Sequence, residues 1–319
     1  MMKLTKNVKV AALMTTAAFT TACSLPGLGV GLAEEGNITI ATQSSTEMVI
    51  LGYTVQGMVN HYSEINADVI QNLGSSTMVT QALAQGDADV AAASYTGTAL
   101  TGDLGMDPIT DPDEARSAVT EGFEEQYNMK YYPSYGFENT YAFLVTRELA
   151  EENNLETISD LEPISEDLTA GVDNSWMERE GDGYRAFLDT YQFDFDTVYP
   201  MEIGLVYDAV QSGNMDVVLG YSTDGRIASY DLVFLEDDLN FFPPYDASPS
   251  ALFETVEEYP LLDDILLKME GVIETEVMQE MNFIADEYLL EPATVAREFL
   301  EANNYFEDSE PYLEPVGGE

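Results

Sequence analysis

The chain of 319 residues is poor in cations. Eleven Lys plus Arg stand against 59 Asp plus Glu, giving a formal charge of −48. Such a surface repels DNA, RNA and anionic lipid, which excludes nucleic-acid and polybasic-membrane readings. There is one Cys, Cys23, so no disulfide can form within the chain. There is one His, His61, at the polar end of a helical pattern, where a solvated end residue is expected rather than a catalyst. Cys/His metal spacing is absent, and so are a P-loop, a G-x-S-x-G elbow and a D-x-D-x-D-G calcium loop. Beyond the N-terminus no apolar run reaches the roughly 18 residues of a membrane helix. Adjacent acids such as Glu124-Glu125 and Asp237-Asp238 read as solvated faces.

What is present is enough to build a core: 45% apolar and 11% aromatic residues separate this chain from the disordered acidic class. Residues 1–22 have the parts of an export signal. Lys3, Lys6 and Lys9 precede a short apolar run from Val10 to Ala22. The run ends at Cys23, and the junction resembles a bacterial lipobox, with Thr20 where Leu is usual. The expectation is a lipidated Cys23, then a Gly/Pro-rich linker to Gly36. Loss of residues 1–22 would leave 8 cations against the same 59 acids, a formal charge of −51.

Downstream, short apolar strands alternate with capped helices. Asn37 to Ala41 reads as a strand, Thr46 to His61 as a helix capped by Ser45, and Ala67 to Leu73 as a second strand. A helix from Ser76 to Gln85 stops at Gly86, and Asp89 to Ala93 reads as a strand buried on both faces. The alternation predicts α/β layers with largely parallel sheets. Gly181-Asp182-Gly183 reads as a helix start. An internal echo adds a second prediction. Val79 to Thr96 and Leu205 to Ser222 both read helix, Gly, Asp, apolar strand, Tyr. Ligands of open α/β sheets bind outside the carboxyl ends of strands, so Tyr95 and Tyr221 are expected across one cleft.

Tyrosine is the abundant specialist, 19 in all, many beside Gly, Pro or Asn. Four segments stand out: Ser94-Tyr95-Thr96-Gly97-Thr98, Glu138 to Phe143, Leu219 to Gly225, and Phe241 to Asp246. Together with Ala41 to Glu47, Gly171 to Trp176 and Gly204 to Val210, they resemble the osmoprotectant-binding lipoproteins of ABC importers, the glycine betaine, carnitine and choline binders. The resemblance runs from about Cys23 to Phe306. It implies a two-lobed periplasmic-binding-protein fold of type II, with two interlobe crossings and a central ligand cleft. Lobe I would be residues 37–138 plus 242–319 and lobe II residues 139–241. It further implies an ammonium cage of Tyr95, Tyr141, Tyr221 and Tyr245, with Gln43 and Thr98 on the substrate carboxylate. Partners would be a membrane permease and its ATPase, with no cofactor and no chemistry on the ligand. Arg179 is a candidate for bridging the lobes on closure, or equally a surface ion pair. A choline- or other cation-specific receptor of the same fold remains open, as does an extracellular hydrolase using paired carboxylates. A hydrolase should place two acids in the main cleft.

Overall fold

In the computed structural model, residues 36–179 and 183–305 are described. The expected signal segment, Cys23, the linker, and Gly181 and Asp182 lie outside the described residues. Ten strands follow in chain order: β1 (Gly36–Gln43), β2 (Ile65–Leu73), β3 (Val90–Tyr95), β4 (Met129–Tyr131), β5 (Tyr141–Thr146), β6 (Thr169–Asp173), β7 (Thr197–Met201), β8 (Val217–Tyr221), β9 (Leu232–Leu235) and β10 (Ala247–Leu252). They form two five-stranded sheets, β2-β1-β3-β10-β4 and β7-β6-β8-β5-β9.

The two orders are the same order. β1 pairs in parallel with β2 and β3, as β6 does with β7 and β8. β10 runs antiparallel to β3, as β5 does to β8. The aspartates of the internal echo explain part of this likeness. Asp89 accepts the Thr39 N–H at 2.7 Å and Asp216 accepts the Thr169 N–H at 2.8 Å. In each case the aspartate's own N–H returns to the same threonine's carbonyl at 2.9 Å. Each aspartate thus fastens the start of one strand to its parallel neighbour. In the echo the tyrosine falls six residues after Asp89 but five after Asp216. The β10/β3 ladder shifts register between Ser248 and Ser250, whereas the β5/β8 ladder is continuous. That irregularity accommodates the extra residue of β3.

Local chemistry sets the helices where the sequence places them. Ser45 accepts the Met48 N–H at the start of helix Thr46–Tyr62. Ser75 does the same for Met78 at helix Ser76–Ala84, which ends at Gly86 with φ +75°. Helix Pro112–Tyr127 has Asp111 as its cap, Pro at its first turn, and Asn128 in the left-handed region at its end. His61 is exposed in the last turn of its helix. Strand β3 runs on to Tyr95, two residues past the expected end, because Ala247 of β10 pairs with Tyr95.

Each sheet has its own core. One contains Ile38, Ile40, Val90, Leu262 and Phe299, and the other Phe143, Val172, Trp176, Phe187 and Leu219. The second is dense in rings: Phe143, Trp176, Phe187, Phe195 and Phe242 lie within 6.5 Å of one another in successive contacts. The chain leaves the first sheet after Tyr131, enters the second at Tyr141, and returns between Leu235 and Ala247. The two crossing segments pair with each other through an antiparallel bridge, Glu138 to Asp246, and Asn139 N–H donates to Tyr245 O at 3.1 Å. Helix Thr275–Glu287 packs its buried face on the first core. Its other face reaches the second lobe, where Gln279 donates to Ser222 O (2.7 Å) and Asn282 to Thr223 O (2.9 Å).

Candidate functional site

A cleft of about 550 Å³ opens where the carboxyl ends of both central strand pairs meet. It gathers Gln43 from the end of β1, Tyr95 from the end of β3, Thr98 three residues on, Tyr141 from the start of β5, Tyr221 from the end of β8, Tyr245 just before β10, and Arg179. All seven non-terminal site residues expected from the sequence therefore line one cavity. Cys23 lies outside the described residues.

The shared topology arranges the four tyrosines as two related pairs. Tyr95 and Tyr221 end equivalent strands, while Tyr141 opens β5 and Tyr245 stands two residues ahead of the equivalent β10. Tyr141 and Tyr221 are direct cross-strand partners, with ring centroids 5.2 Å apart and planes tilted by 35°. Tyr141 is buried, whereas Tyr221 is 37% exposed to the cleft. The Tyr207 hydroxyl holds Tyr221 in place: it accepts the Tyr221 N–H at 2.7 Å and donates to the Tyr221 carbonyl at 3.3 Å. Arg226, paired with Asp224, stacks over Tyr207 at 4.2 Å. Tyr245 packs on Gly97, where an added Cβ would lie 2.9 Å from the ring. Gly97 N–H also donates to Pro244 O at 2.8 Å.

Two of the rings have their hydroxyls pushed up by their surroundings. Burial, then Glu47, pushes the Tyr95 hydroxyl well above the usual phenol range. Burial, then Tyr221, does the same for Tyr141. Tyr141 donates to Asp173 Oδ2 at 3.1 Å. The Arg179 guanidinium lies 5.1 Å from the Tyr141 ring centroid, a cation already seated on one of the faces. The neutral polar groups are Gln43, Ser45, Thr98, Thr101 and Asn139. Among the described residues that line the cleft there is no Asp or Glu, so the acid pair a hydrolase requires is not found there. No group of His, Cys, Asp and Glu with metal-binding geometry occurs among the described residues. The sequence reading missed Asn139 as a lining residue and Glu47 behind Tyr95. Asn139 was visible as a crossing position and Glu47 as the last residue of the Ala41–Glu47 segment, but nothing in the sequence pairs Glu47 with Tyr95.

Two α/β lobes of like topology with an aromatic, carboxylate-free cleft at their strand ends define a two-lobed substrate-binding protein. Comparison with known proteins makes the class specific. Residues 36–302 match the family model OpuAC, described as the substrate binding domain of an ABC-type glycine betaine transport system. The carnitine transport binding protein OpuCC of Listeria monocytogenes serotype 1/2a (strain 10403S) is 48% identical over 295 residues, covering 92% of this chain and 95% of that one. A solved structure described as a glycine betaine/carnitine/choline ABC transporter is 47% identical with TM-score 0.82, over 84% of this chain and 99% of that chain. The Helicobacter pylori (strain G27) ergothioneine transport permease/ergothioneine binding protein EgtU is 32% identical over 270 residues, covering 84% of this chain and 48% of that protein. The chain belongs to the family of substrate-binding domains of ABC-type glycine betaine transport systems.

Proposed function

We propose that this protein captures small quaternary-ammonium zwitterions, glycine betaine and carnitine ahead of choline, and delivers them to an ABC importer for osmoprotection. The observation that carries this reading is the convergence of Tyr95, Tyr141, Tyr221 and Tyr245 with Gln43 and Thr98 on a cleft whose described lining has no carboxylate. A trimethylammonium head has no N–H, so hydrogen bonding cannot select it. It is bulky and weakly hydrated, and aromatic faces attract it at low desolvation cost. Each face contributes roughly 0.5–2 kcal/mol, so four supply several of the about 8 kcal/mol that micromolar binding requires. The Gln43 amide and Thr98 hydroxyl can donate to the carboxylate end.

In this reading lobe I is residues 37–138 plus 242–319, lobe II is 139–241, and the pair closes on the ligand about the two crossings. Arg179 serves closure, moving off Tyr141 toward the opposite lobe. Cys23 carries a lipid that holds the protein on the outer face of the cell membrane, where it meets the permease. The relatives are named as transport binding proteins, which supports a carrier rather than an enzyme.

Calorimetric titration with glycine betaine, carnitine, choline and proline tests the proposal. The expected order places the two zwitterionic quaternary amines first, choline below them and proline last. Thr98→Asp is expected to move the preference toward choline, since a carboxylate there repels the zwitterion's acid end. A protein that binds none of the quaternary amines contradicts the reading.

A further inference from the structure

Behind the cleft, the most connected side chain is an acid that the cleft does not expose. Glu47 sits in the first turn of helix Thr46–Tyr62 and is 4% exposed. Its Oε1 accepts the Tyr95 hydroxyl, and also the Asn139 amide at 2.9 Å. Its Oε2 accepts the Asn282 amide at 3.0 Å. Asn139 Nδ2 also lies 3.3 Å from Tyr95 Oη, which closes the triangle. Asn282 donates in addition to Thr223 O, two residues past Tyr221. One buried carboxylate thus joins a cage ring of the first lobe, a crossing segment, and the helix that grips the backbone next to a cage ring of the second lobe.

Resting on the proposed capture of quaternary ammonium, we infer that Glu47 is the counter-charge of the cage, a positioning residue that acts on the ligand through Tyr95. A phenol that donates to a carboxylate pushes electron density into its ring, and the ring face becomes more attractive to a cation. The same bond fixes the ring's orientation. The carboxylate's own oxygens are occupied by one hydroxyl and two amides, so a small inorganic cation meets a ring instead of an acid. The negative potential of Glu47 therefore reaches the ammonium while the selectivity of an acid-free lining is kept. With Gln43 and Thr98 donating at the other end, the cleft is polarised along the axis of a zwitterion.

The test uses the full-length protein, glycine betaine, and its tert-butyl analogue, in which carbon replaces the ammonium nitrogen. Affinities are read by calorimetry, the weaker one by displacement. Glu47→Gln removes the charge at nearly constant volume. It is expected to weaken glycine betaine by about tenfold while leaving the tert-butyl analogue unchanged or tighter. Equal losses for both ligands would show that Glu47 only shapes the site and would overturn the inference, as would no loss for either. If Glu47→Gln does not melt as a folded protein, Tyr95→Phe decides, because it keeps the ring and deletes the hydroxyl that links it to Glu47. A loss confined to the ammonium ligand supports the inference, and an equal loss or none overturns it. A wild-type protein that binds no quaternary amine contradicts the reading of the cleft. Wild-type binding with a charge-blind Glu47→Gln contradicts only the role of Glu47.

Discussion

At the scale of single residues, what could be read from the sequence depended on local context. Tyr95, Tyr141, Tyr221 and Tyr245 each lie in a short segment of Gly, Pro, Asn or Ser that does not follow apolar periodicity, and such segments end strands or cross between lobes. Their convergence on one cleft follows from those positions. Glu47 closes the Ala41–Glu47 segment, but that segment does not show what its side chain meets. Its partners Tyr95, Asn139 and Asn282 are 48, 92 and 235 positions away, and only folding brings them together. The contrast between two tyrosines of the same lobe gives a residue-scale prediction. Tyr221 faces the cleft, whereas Tyr230 packs on the other face of the second sheet, with Leu144, Ile227 and Leu232, and donates to Asp208 at 2.8 Å. Tyr221→Ala is expected to weaken glycine betaine binding by about tenfold or more, and Tyr230→Ala to leave it within about twofold. Equal losses in a paired titration would argue that the rings act on folding rather than on the ligand.

At the scale of elements, the sequence echo proved to be topological. Asp89 and Asp216 fasten equivalent strands, and the sheets share one strand order. The periodicity of the sequence showed strands and helices but not their order, because pairing between β3 and β10 joins segments about 150 residues apart. The noncovalent link made by helix Thr275–Glu287 to the second lobe was also hidden, since it rests on two amides meeting backbone carbonyls. The turn from β3 into the following helical segment offers a prediction. A Cβ at Gly97 would lie 2.9 Å from the Tyr245 ring and 3.0 Å from the Pro244 carbonyl oxygen, closer than such contacts are tolerated. Gly97→Ala is therefore expected to displace Tyr245 and weaken ligand binding by about tenfold, at a stability cost of about 1–3 kcal/mol. Thermal melts with calorimetry check both. Unchanged affinity would remove Tyr245 from the cage.

At the scale of the whole molecule, the acid excess belongs to the surface rather than to the described cleft lining. Several of the scarce cations are committed to ion pairs: Arg116–Asp246, Lys130–Asp263, Arg147–Asp231 and Arg226–Asp224. The remaining acids repel one another in the compact state. In about 1 M salt the screening length falls to about 3 Å, so the melting temperature is expected to rise with added salt. A melting temperature indifferent to salt would leave the acidity without a physical role. Alkali acts through the tyrosines. Burial raises Tyr131 from 10.0 to about 12, and also raises Tyr132, Tyr135 and Tyr207 above the usual phenol range. A phenol whose folded value exceeds its unfolded value contributes stability that is complete below the unfolded value. That stability is lost as pH rises through the folded one. Denaturant midpoints are expected to hold up to pH 10.0 and to fall steadily from there toward about 12. A decline that begins well below pH 10.0 would point to other groups.

Whether the cleft receives a trimethylammonium zwitterion is decided by calorimetric titration of the purified protein with glycine betaine. Saturable one-to-one binding that persists in high salt is expected, because the attraction is to aromatic rings and a buried counter-charge rather than to the acidic surface. Absence of binding, or binding abolished by salt, would contradict it.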